Sequence, residues 1–470
     1  MNETIDKIHQ EVDTLANRFF FGKQPIKQRI AEELNDLLSK HNQLEQDFET
    51  YKEDSKTRLN ILETSLHTFE DKLKEHLLKT QLISKLLSAS TNNKGLQEFK
   101  HLLYNDFMEF ANKENALANE AEMILKLQEI EKELEIISAY PLLHTKNVVA
   151  VGGGFSAGKS EFISSFIQSD VKLPIGVVPT TAIPTYVFHE EIELYLGCSS
   201  NGGLVHLSDI DKDFQSKLSH DFIKSFDFNL KDIMPYMMMG VKIDHDHICF
   251  IDTPGYNPAT ISDGFTSEDV KTAKDFLENA NALVWLIGAD ANGTISASDL
   301  EFLDDLNIED KKLYIVLNKA DLKSPDDLED ILDEIEESLE EYDIEFEGIS
   351  AYSSVLKETY CTRGISLDDF FINSDKEANK QKELTSKLYQ VTNAYKNAIL
   401  QSKKRKESAK DELHSLSLDL LETDLELVDT LSDRIETLKK LFLSEEEDEN
   451  LKQLENITKK LDAAIQKVFH

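Results

Sequence analysis

The stretch that decides the fold reads Gly153-Gly154-Phe155-Ser156-Ala157-Gly158-Lys159-Ser160. It fits the pattern GxxxxGK followed by Ser or Thr. In this pattern glycines let backbone N–H groups approach phosphates, the lysine reaches the outer phosphates and the hydroxyl binds Mg²⁺. An apolar, β-prone segment at residues 147–151 precedes the stretch, and residues 161–166 can open a helix. This order of strand, loop and helix is the context that a phosphate-binding motif requires.

Three further motifs follow, each after an apolar segment. Asp252-Thr253-Pro254-Gly255 offers a carboxylate for a Mg²⁺-bound water and a Gly255 N–H that can sense the terminal phosphate. Asn318-Lys319-Ala320-Asp321 decides the base, because the Asp321 carboxylate can accept from both N1–H and the 2-amino group of guanine. Ser350-Ala351-Tyr352, at the end of the last predicted strand, is expected to place a backbone N–H near guanine O6. The four motifs together predict a binding site for GTP and GDP.

The central part of the chain predicts an α/β fold. Apolar segments alternate with helical ones, which indicates a mostly parallel sheet with helices on both faces. The residues 186–197 are interpreted as an edge strand. The later strands are predicted at residues 248–251, 282–287, 313–317 and 344–349. Ligands of such sheets bind beyond the carboxyl ends of the strands, where all four motifs fall.

A loop rich in proline and threonine, residues 173–185, lies between the phosphate loop and Asp252. A threonine in this loop can close over the γ-phosphate and complete the Mg²⁺ shell, which orders the loop only when GTP is bound. Thr181 is favoured over Thr180 for this role. The predicted metal ligands are therefore Ser160, Thr181 and Asp252.

The composition restricts partners and location. A formal net charge of −38 over 470 residues repels polyanions, so no nucleic-acid partner is expected. The basic run Lys403-Lys404-Arg405-Lys406 is interpreted as a solvated helix face. The longest apolar run, residues 282–287, is far shorter than the roughly 20 residues of a membrane-spanning helix. The first residues lack a signal-peptide core, so a cytoplasmic location is expected.

Glycine and proline divide the chain into three parts. Fifteen of the 17 glycines lie between Gly152 and Gly364, whereas residues 26–94 and 365–470 contain neither glycine nor proline. Segments of this kind are typical of long helices. The predicted division is a helical arm at 1–145, a nucleotide-binding domain at 146–365 and a second helical arm at 366–470.

The helical arms carry apolar repeats. In the first arm, apolar residues recur at heptad spacing, which is typical of a helical bundle or a coiled coil. These residues are Leu59, Leu62, Leu66, Phe69 and Leu73. Because such helices cannot bury a wide apolar face alone, the two arms are predicted to pack together as an extended bundle, or stalk.

With these motifs the chain resembles the dynamin superfamily, and in particular the bacterial dynamin-like proteins. The phosphate loop, the loop Leu-Pro…Pro-Thr-Thr-Ala, Asp252-Thr253-Pro254-Gly255 and Asn318-Lys319-Ala320-Asp321 carry the resemblance over about residues 146–355. It implies a GTPase head, a helical neck and trunk, homodimerisation of the heads across the nucleotide face, a partner dynamin-like protein, and remodelling of a membrane lipid surface with peripheral attachment.

The resemblance also implies roles in catalysis. Ser156 and its loop would place a charge-compensating monovalent cation, K⁺ or Na⁺, and Thr181 would hold the attacking water. The chain departs from relatives at Phe155 and Tyr256, where water-positioning glutamines stand in eukaryotic dynamins and in Ras-like proteins, respectively. Because no arginine lies within the four motifs, the isolated chain is predicted to hydrolyse GTP slowly, at a rate that rises on assembly.

Competing functions remain open at this point. The same four motifs are also compatible with a GTP-switched scaffold. In such a protein the acidic stalk would bind a partner protein, and no membrane would be involved. A ribosome-associated GTPase is disfavoured by the net charge of −38. A P-loop ATPase is disfavoured by Asp321.

Overall fold

The computed structural model describes most of the chain. It covers residues 6–8, 10–11, 13–14, 24–114, 116–154, 156–168, 173, 183–212, 214, 222–223, 225–253, 255, 267–289, 294–306, 308, 311–421 and 428–470. Residues 1–79 form one compact unit and residues 80–470 form a second.

The first unit contains most of helix α1 (Gln24–Ser88), which runs for 65 residues. Pro25 lies in its first turn, where a missing N–H is tolerated. Ion pairs one turn apart, such as Lys40 with Asp36 at 2.6 Å, add modest support to the helix. The heptad side chains predicted from the sequence are exposed by 49–66%, and they are Leu59, Leu62, Leu66, Phe69 and Leu73.

The second unit contains one sheet. Its strands are β1 (Asn147–Gly153), β2 (Thr185–His189), β3 (Leu194–Cys198), β4 (Leu204–His206), β5 (Tyr236–Val241), β6 (Ile248–Asp252), β7 (Ala282–Gly288), β8 (Lys312–Asn318), β9 (Gly348–Ser353) and β10 (Glu358–Gly364). In space they follow the order β10-β9-β8-β7-β1-β6-β2-β5-β3-β4. The pairs that join β1, β6, β7, β8 and β9 are all parallel.

Helices of the second unit cover the sheet and form a bundle. They are α2 (Lys94–His101), α3 (Met108–Lys113), α4 (Glu120–Ala139), α5 (Lys159–Ser165), α6 (Ser267–Glu278), α7 (Ala297–Asp304), α8 (Pro325–Glu341), α9 (Leu367–Ser374), α10 (Lys380–Leu421), α11 (Val428–Leu441) and α12 (Glu445–Val468). A π-helical segment, Leu102–Phe107, joins α2 to α3. The predicted fold class, an α/β domain together with helices from both chain ends, is confirmed.

The edge-strand interpretation of residues 186–197 is wrong. Strand β2 pairs with β6 on one side and β5 on the other, and β3 lies between β5 and β4. The sequence interpretation missed β5 because its methionines do not alternate with polar residues. All six residues of β5 are buried, so its methionines fill the core.

The two faces of the sheet carry separate apolar cores. Trp285 and Ile315 point into a core with α8, whereas Val284 and Tyr314 point into a core that includes Phe162 of α5. This alternation along β7 and β8 is the two-residue period of a strand covered on both faces. Helix α9 also packs on the sheet, through Phe370 and Phe371.

The bundle joins segments from both chain ends. One continuous core contains Leu96, Phe99, Leu127, Leu134, Leu384, Leu388, Tyr395, Leu461 and Ile465. The start of α2 lies close to the end of α12, because a Cβ on Gly95 would lie 2.6 Å from the Val468 nitrogen. Asn93 caps α2 by accepting from the Leu96 N–H, and its side-chain amide donates to the Val468 carbonyl at 3.1 Å. The bundle prediction is confirmed for these helices.

The basic run on α10 is more than a solvated face. Lys403 Nζ lies 2.6 Å from Asp448 Oδ1, and Lys406 Nζ lies 2.5 Å from Glu447 Oε1, so both lysines pair with the acidic first turn of α12. Glu447 is buried. The sequence interpretation missed these ion pairs because the partners are more than 40 residues apart along the chain.

None of the helices in the described part of the chain combines the length and apolar character that a membrane crossing needs.

Candidate functional site

The predicted motifs meet at one edge of the sheet. Register pairs Val151 with Asp252 and Gly153 with Leu286, and β7 and β8 end together at Gly288 and Asn318. Because these strands are parallel, their carboxyl ends lie side by side. The phosphate loop, Asp252 and Asn318 therefore leave the sheet at the same place, as the sequence predicts for a doubly covered parallel sheet.

Two glycines shape the phosphate loop. Gly153 has a φ of +136°, and a Cβ there would overlap the carbonyl oxygen of Leu286. Gly158 has a φ of +88°, and a Cβ there would lie 2.5 Å from Asn318 Nδ2. Both positions are open only to glycine, for reasons of backbone conformation and space. Ser156 also has positive φ, at 62°, and lies exposed in the bend of the loop.

Lys159 is the buried cation of the site. It opens α5 and its side chain folds back over its own loop, where Nζ donates to the carbonyl oxygens of Gly153 and Gly154 at 3.0 Å each. Burial lowers its pKa from 10.5 to about 8, and the charge of Asp252 opposes this shift. A desolvated ammonium of this kind gains most from an anionic ligand.

Ser160 and Asp252 fit a divalent cation. Ser160 Oγ donates to Asp252 Oδ2 at 2.6 Å, so the two oxygen ligands already lie together. Burial raises the pKa of Asp252, and the Ser160 hydrogen bond and the charge of Lys159 partly offset this effect. A hydroxyl and a carboxylate are the hard oxygen donors that Mg²⁺ prefers, with remaining positions left for phosphate and water.

A second group of contacts connects the phosphate loop to the predicted base side. Asn318 is buried, and its Nδ2 donates to the Ala157 carbonyl at 2.9 Å. Lys319 adopts a φ of +63°, which turns the chain sharply after β8. Asp321 follows in a short 3₁₀ turn at Ala320–Leu322, and its side chain stays accessible.

The last motif lies elsewhere than predicted. Ser350 and Ala351 are buried inside β9, and Ser350 Oγ bonds to the hydroxyls of Tyr314 and Thr362. They do not lie at the end of the strand, because β9 begins at Gly348, four residues later than the predicted strand at residue 344. This shift moves the carboxyl end of the strand to Ser353.

Two serines that the sequence interpretation missed occupy that end. Ser353 Oγ donates to Asp321 Oδ1 at 2.6 Å. Ser354 donates to Asn318 Oδ1 twice, from Oγ at 2.7 Å and from its backbone N–H at 3.2 Å. The signal was present, since a Ser-Ser pair directly follows the predicted motif, but only the strand register assigns it to the site.

Several predicted residues lie outside the described residues. They are Phe155 and Tyr256, at the two departures from relatives, and the loop threonines Thr180 and Thr181. Gly255 is described as a partly buried residue three positions after the end of β6 at Asp252. The structure thus brings together Gly153, Gly154, Ser156, Ala157, Gly158, Lys159, Ser160 and Asp252 with Asn318, Lys319 and Asp321 at one edge of the sheet.

A family comparison decides what kind of domain this edge belongs to. Residues 149–321 match the model of the dynamin family. Over this segment the chain is similar to the dynamin family. The match starts within β1 and ends at Asp321, so it contains the phosphate loop, Asp252 and the base-side motif in the predicted order.

Two sequence relatives are weakly similar. An uncharacterised protein encoded in the region 3′ of xynA in Caldicellulosiruptor sp. (strain Rt8B.4) is 23% identical over 235 residues, which are 44% of this chain and 50% of that protein. Dynamin-like protein 1 of Campylobacter jejuni is 25% identical over 224 residues, which are 41% of this chain and 30% of that protein. The chain thus spans half or less of the length of these relatives.

Solved structures are similar at low scores. An oligomerised bacterial dynamin pair, described as a mechanism for long-range sensing and tethering of membranes, has a TM-score of 0.34 and 19% identity, covering 72% of this chain and 53% of that one. Aquifex aeolicus Era bound to GDP·AlF₄⁻ has a TM-score of 0.29 and 16% identity, covering 53% and 66%.

Proposed function

We propose that this chain binds GTP with Mg²⁺ and hydrolyses it to GDP and phosphate. The observation that carries the proposal is the convergence of Lys159, the Ser160–Asp252 pair and Asp321 at one edge of the sheet, in a segment that is similar to the dynamin family. Phosphates would lie on the loop between Gly153 and Ser160, and guanine would lie against Asp321.

Each side chain has a role that its chemistry supports. Lys159 would exchange its two carbonyl contacts for β- and γ-phosphate oxygens, which restores its full charge. Ser160, Asp252 and Thr181 would hold Mg²⁺, which neutralises charge on the phosphates. Ser156 would help to place a K⁺ or Na⁺ ion, and Thr181 would orient the attacking water. Asp321 would accept both donors of guanine, while Ser353 fixes its orientation.

The rate of hydrolysis is expected to depend on assembly. No arginine lies within the four motifs, and charge compensation supplied from outside a GTPase site is worth about 10³ to 10⁵ in rate. We propose that two heads dimerise across the nucleotide face and that this movement is passed to the helical bundle, which remodels a membrane.

Concentration dependence tests this part of the proposal. The specific GTPase activity, measured as phosphate release per chain, is expected to rise at least about tenfold between dilute and concentrated protein or on addition of liposomes. A specific activity that stays flat across that range, with and without liposomes, would contradict dimerisation-dependent hydrolysis.

A GTP-switched scaffold is the second candidate. Glu445, Glu446 and Glu449 at the start of α12 are exposed, and with the net charge of −38 they offer an acidic surface to a basic partner protein. Liposome flotation with and without a non-hydrolysable GTP analogue separates the two candidates. Flotation that depends on the analogue supports membrane attachment, and failure to float in every nucleotide state supports the scaffold.

Nucleotide affinity should depend on pH through Lys159. The protonated amine binds phosphate, and burial sets its pKa at about 8 in the free protein. The affinity for the nucleotide should therefore be highest and constant well below pH 8. It should fall as pH rises through 8, approaching a loss of about tenfold per pH unit. The dissociation constant of fluorescent methylanthraniloyl-GDP, measured between about pH 7 and about pH 9, checks this. Lys159→Arg is the control, because a guanidinium does not titrate there.

Removal of the Ser353 hydroxyl should weaken guanine binding. Ser353→Ala deletes the hydrogen bond that orients Asp321, and the loss of a bond to a charged group predicts about a tenfold rise in the dissociation constant for GDP. Ser338→Ala is the matched control, since Ser338 is a half-buried serine of α8 whose hydroxyl donates to the Glu334 carbonyl of its own helix. Equal affinities of the two variants would contradict the role of Ser353.

We propose the division into a helical arm at 1–145, a head at 146–365 and a second arm at 366–470, with α9 of the second arm packed on the sheet. We also propose a cytoplasmic protein that attaches peripherally to a membrane, a partner dynamin-like protein, and no nucleic-acid partner.

A further inference from the structure

A cavity of about 410 Å³ lies on the second unit, where the bundle helix α4 meets the sheet. Its wall includes Ile136 of α4, Tyr186 of β2, Tyr236 of β5, Ile251 of β6 and Phe276 of α6. Cavities of about 300–1,000 Å³ are the size that small-molecule sites have. Of the described residues assigned above to phosphate, Mg²⁺ or guanine, none lines this cavity.

Three aromatic rings form one side of the cavity. Tyr186 is at its centre, with its ring centroid 5.6 Å from that of Tyr236 and 6.1 Å from that of Phe276, at interplanar angles of 75° and 69°. Ile136, Leu143 and Ile251 form the aliphatic remainder. Edge-to-face rings present both ring faces and ring edges, which favours a flat aromatic guest over a flexible chain.

Tyr186 also supplies a polar contact. It is only 5% exposed, and it lines the cavity. Burial raises the pKa of this phenol well above 10, so it stays a neutral donor and acceptor near pH 7. Tyr186 lines the cavity, so a guest with one hydrogen-bonding group can pair with its hydroxyl.

Charges at the cavity are balanced. The lining contains three lysines and three carboxylates, which are Lys132, Lys231, Lys380, Glu133, Glu135 and Asp275. Lys132 Nζ lies 3.3 Å from Asp275 Oδ2, and Lys380 Nζ lies 3.7 Å from Glu133 Oε2. Because these groups neutralise one another, the cavity offers little excess charge to an ionic guest.

We propose that this cavity binds a neutral, flat aromatic small molecule that carries one hydrogen-bonding group, with that group at the Tyr186 hydroxyl. The guest touches the bundle through α4 and the head through β6 and α6, and Ile251 directly precedes Asp252. Binding therefore stabilises the packing of α4 against the head by mass action.

Calorimetric titration of the full chain with 1-naphthol tests the proposal without any nucleotide. We expect saturable binding at about one site per chain. Ile136→Trp places an indole in the cavity and should weaken binding at least about tenfold. Leu125→Trp is the matched control, because Leu125 lies on the same helix and is 58% exposed, and it should bind as the wild type does.

A second variant keeps the proposal testable if the tryptophan disturbs folding. Tyr186→Phe removes only the hydroxyl, so binding should weaken about three- to tenfold. Tyr389→Phe, at an exposed tyrosine of α10, should leave binding unchanged. Absence of saturable binding to the wild type, or affinities of Ile136→Trp and Tyr186→Phe equal to those of their controls, overturns the proposal.

Discussion

Asp321→Asn is expected to exchange guanine for xanthine as the preferred base. The Asp321 carboxylate is accessible beside the phosphate loop and accepts only one described side-chain hydrogen bond, from Ser353. Guanine presents two donors to it, N1–H and the 2-amino group. An amide at this position keeps an acceptor for N1–H but offers a donor to the second site, where guanine has a donor and xanthine has a carbonyl oxygen.

The size of this exchange follows from the charge that is lost. Hydrogen bonds to a charged group are worth roughly 1.5–3 kcal/mol, and an unpaired donor adds its own cost. The affinity for GTP should therefore fall about 100-fold or more, while the affinity for XTP should rise.

Titration with fluorescent methylanthraniloyl-GDP and methylanthraniloyl-XDP measures the exchange directly. Asp330→Asn, at an exposed aspartate of α8, is the matched control and should retain the wild-type preference. If Asp321→Asn still prefers the guanine nucleotide, Asp321 does not contact the base.

Lys159→Ala is expected to abolish nucleotide-dependent behaviour. Its ammonium is the buried cation of the phosphate loop, and Nζ already lies 3.0 Å from the oxygens of Gly153 and Gly154. Loss of one preorganised charge at a transferring phosphate typically costs a factor of about 10² to 10³ in rate. Loss of phosphate binding adds to this cost, so GTP hydrolysis should fall to the background rate.

Phosphate release and GDP binding are the measurements for this variant. Lys312→Ala is the control, since Lys312 lies at the opposite end of β8 and pairs with Glu347 at 3.6 Å. Thermal unfolding of both variants separates a binding defect from a folding defect. A Lys159→Ala variant that hydrolyses GTP normally would falsify the proposed phosphate site.

The sequence was sufficient to predict those parts of the site in which a motif directly follows an apolar strand. The phosphate loop and the segments at Asp252 and Asn318 each follow a buried strand directly, so strand and motif are recognised together. Their convergence then follows from parallel pairing, because carboxyl ends of parallel strands share an edge. For this reason Lys159, Ser160 and Asp252 meet as expected.

The register of β9 against β8 could not be predicted from the local sequence pattern. The apolar residues Ile344 and Phe346 resemble the start of a strand, but the ladder to β8 begins at Gly348 opposite Tyr314. That shift buries Ser350 and brings Ser353 to Asp321. Which residues pair across a sheet depends on partners far along the chain, and a single strand does not encode them.

Contacts between residues far apart along the chain also explain the other differences between the predicted and the observed structure. The buried β5 reads as a run of methionines, and only its neighbours β2 and β3 make it a strand. Lys403 and Lys406 read as a solvated basic run, and only the packing of α10 on α12 brings Asp448 and Glu447 to them. Tertiary contacts override local propensity in each case.

The central claim is that this edge of the sheet is a guanine-specific phosphate site, and competition between two nucleotides tests it most directly. The wild-type chain should be titrated with methylanthraniloyl-GTP and methylanthraniloyl-ATP at equal Mg²⁺ concentration. The contacts of Asp321 predict that GTP binds at least about 100-fold more tightly, because adenine lacks both donors that the carboxylate accepts. Equal affinity for the two nucleotides, or tighter binding of ATP, would contradict the account.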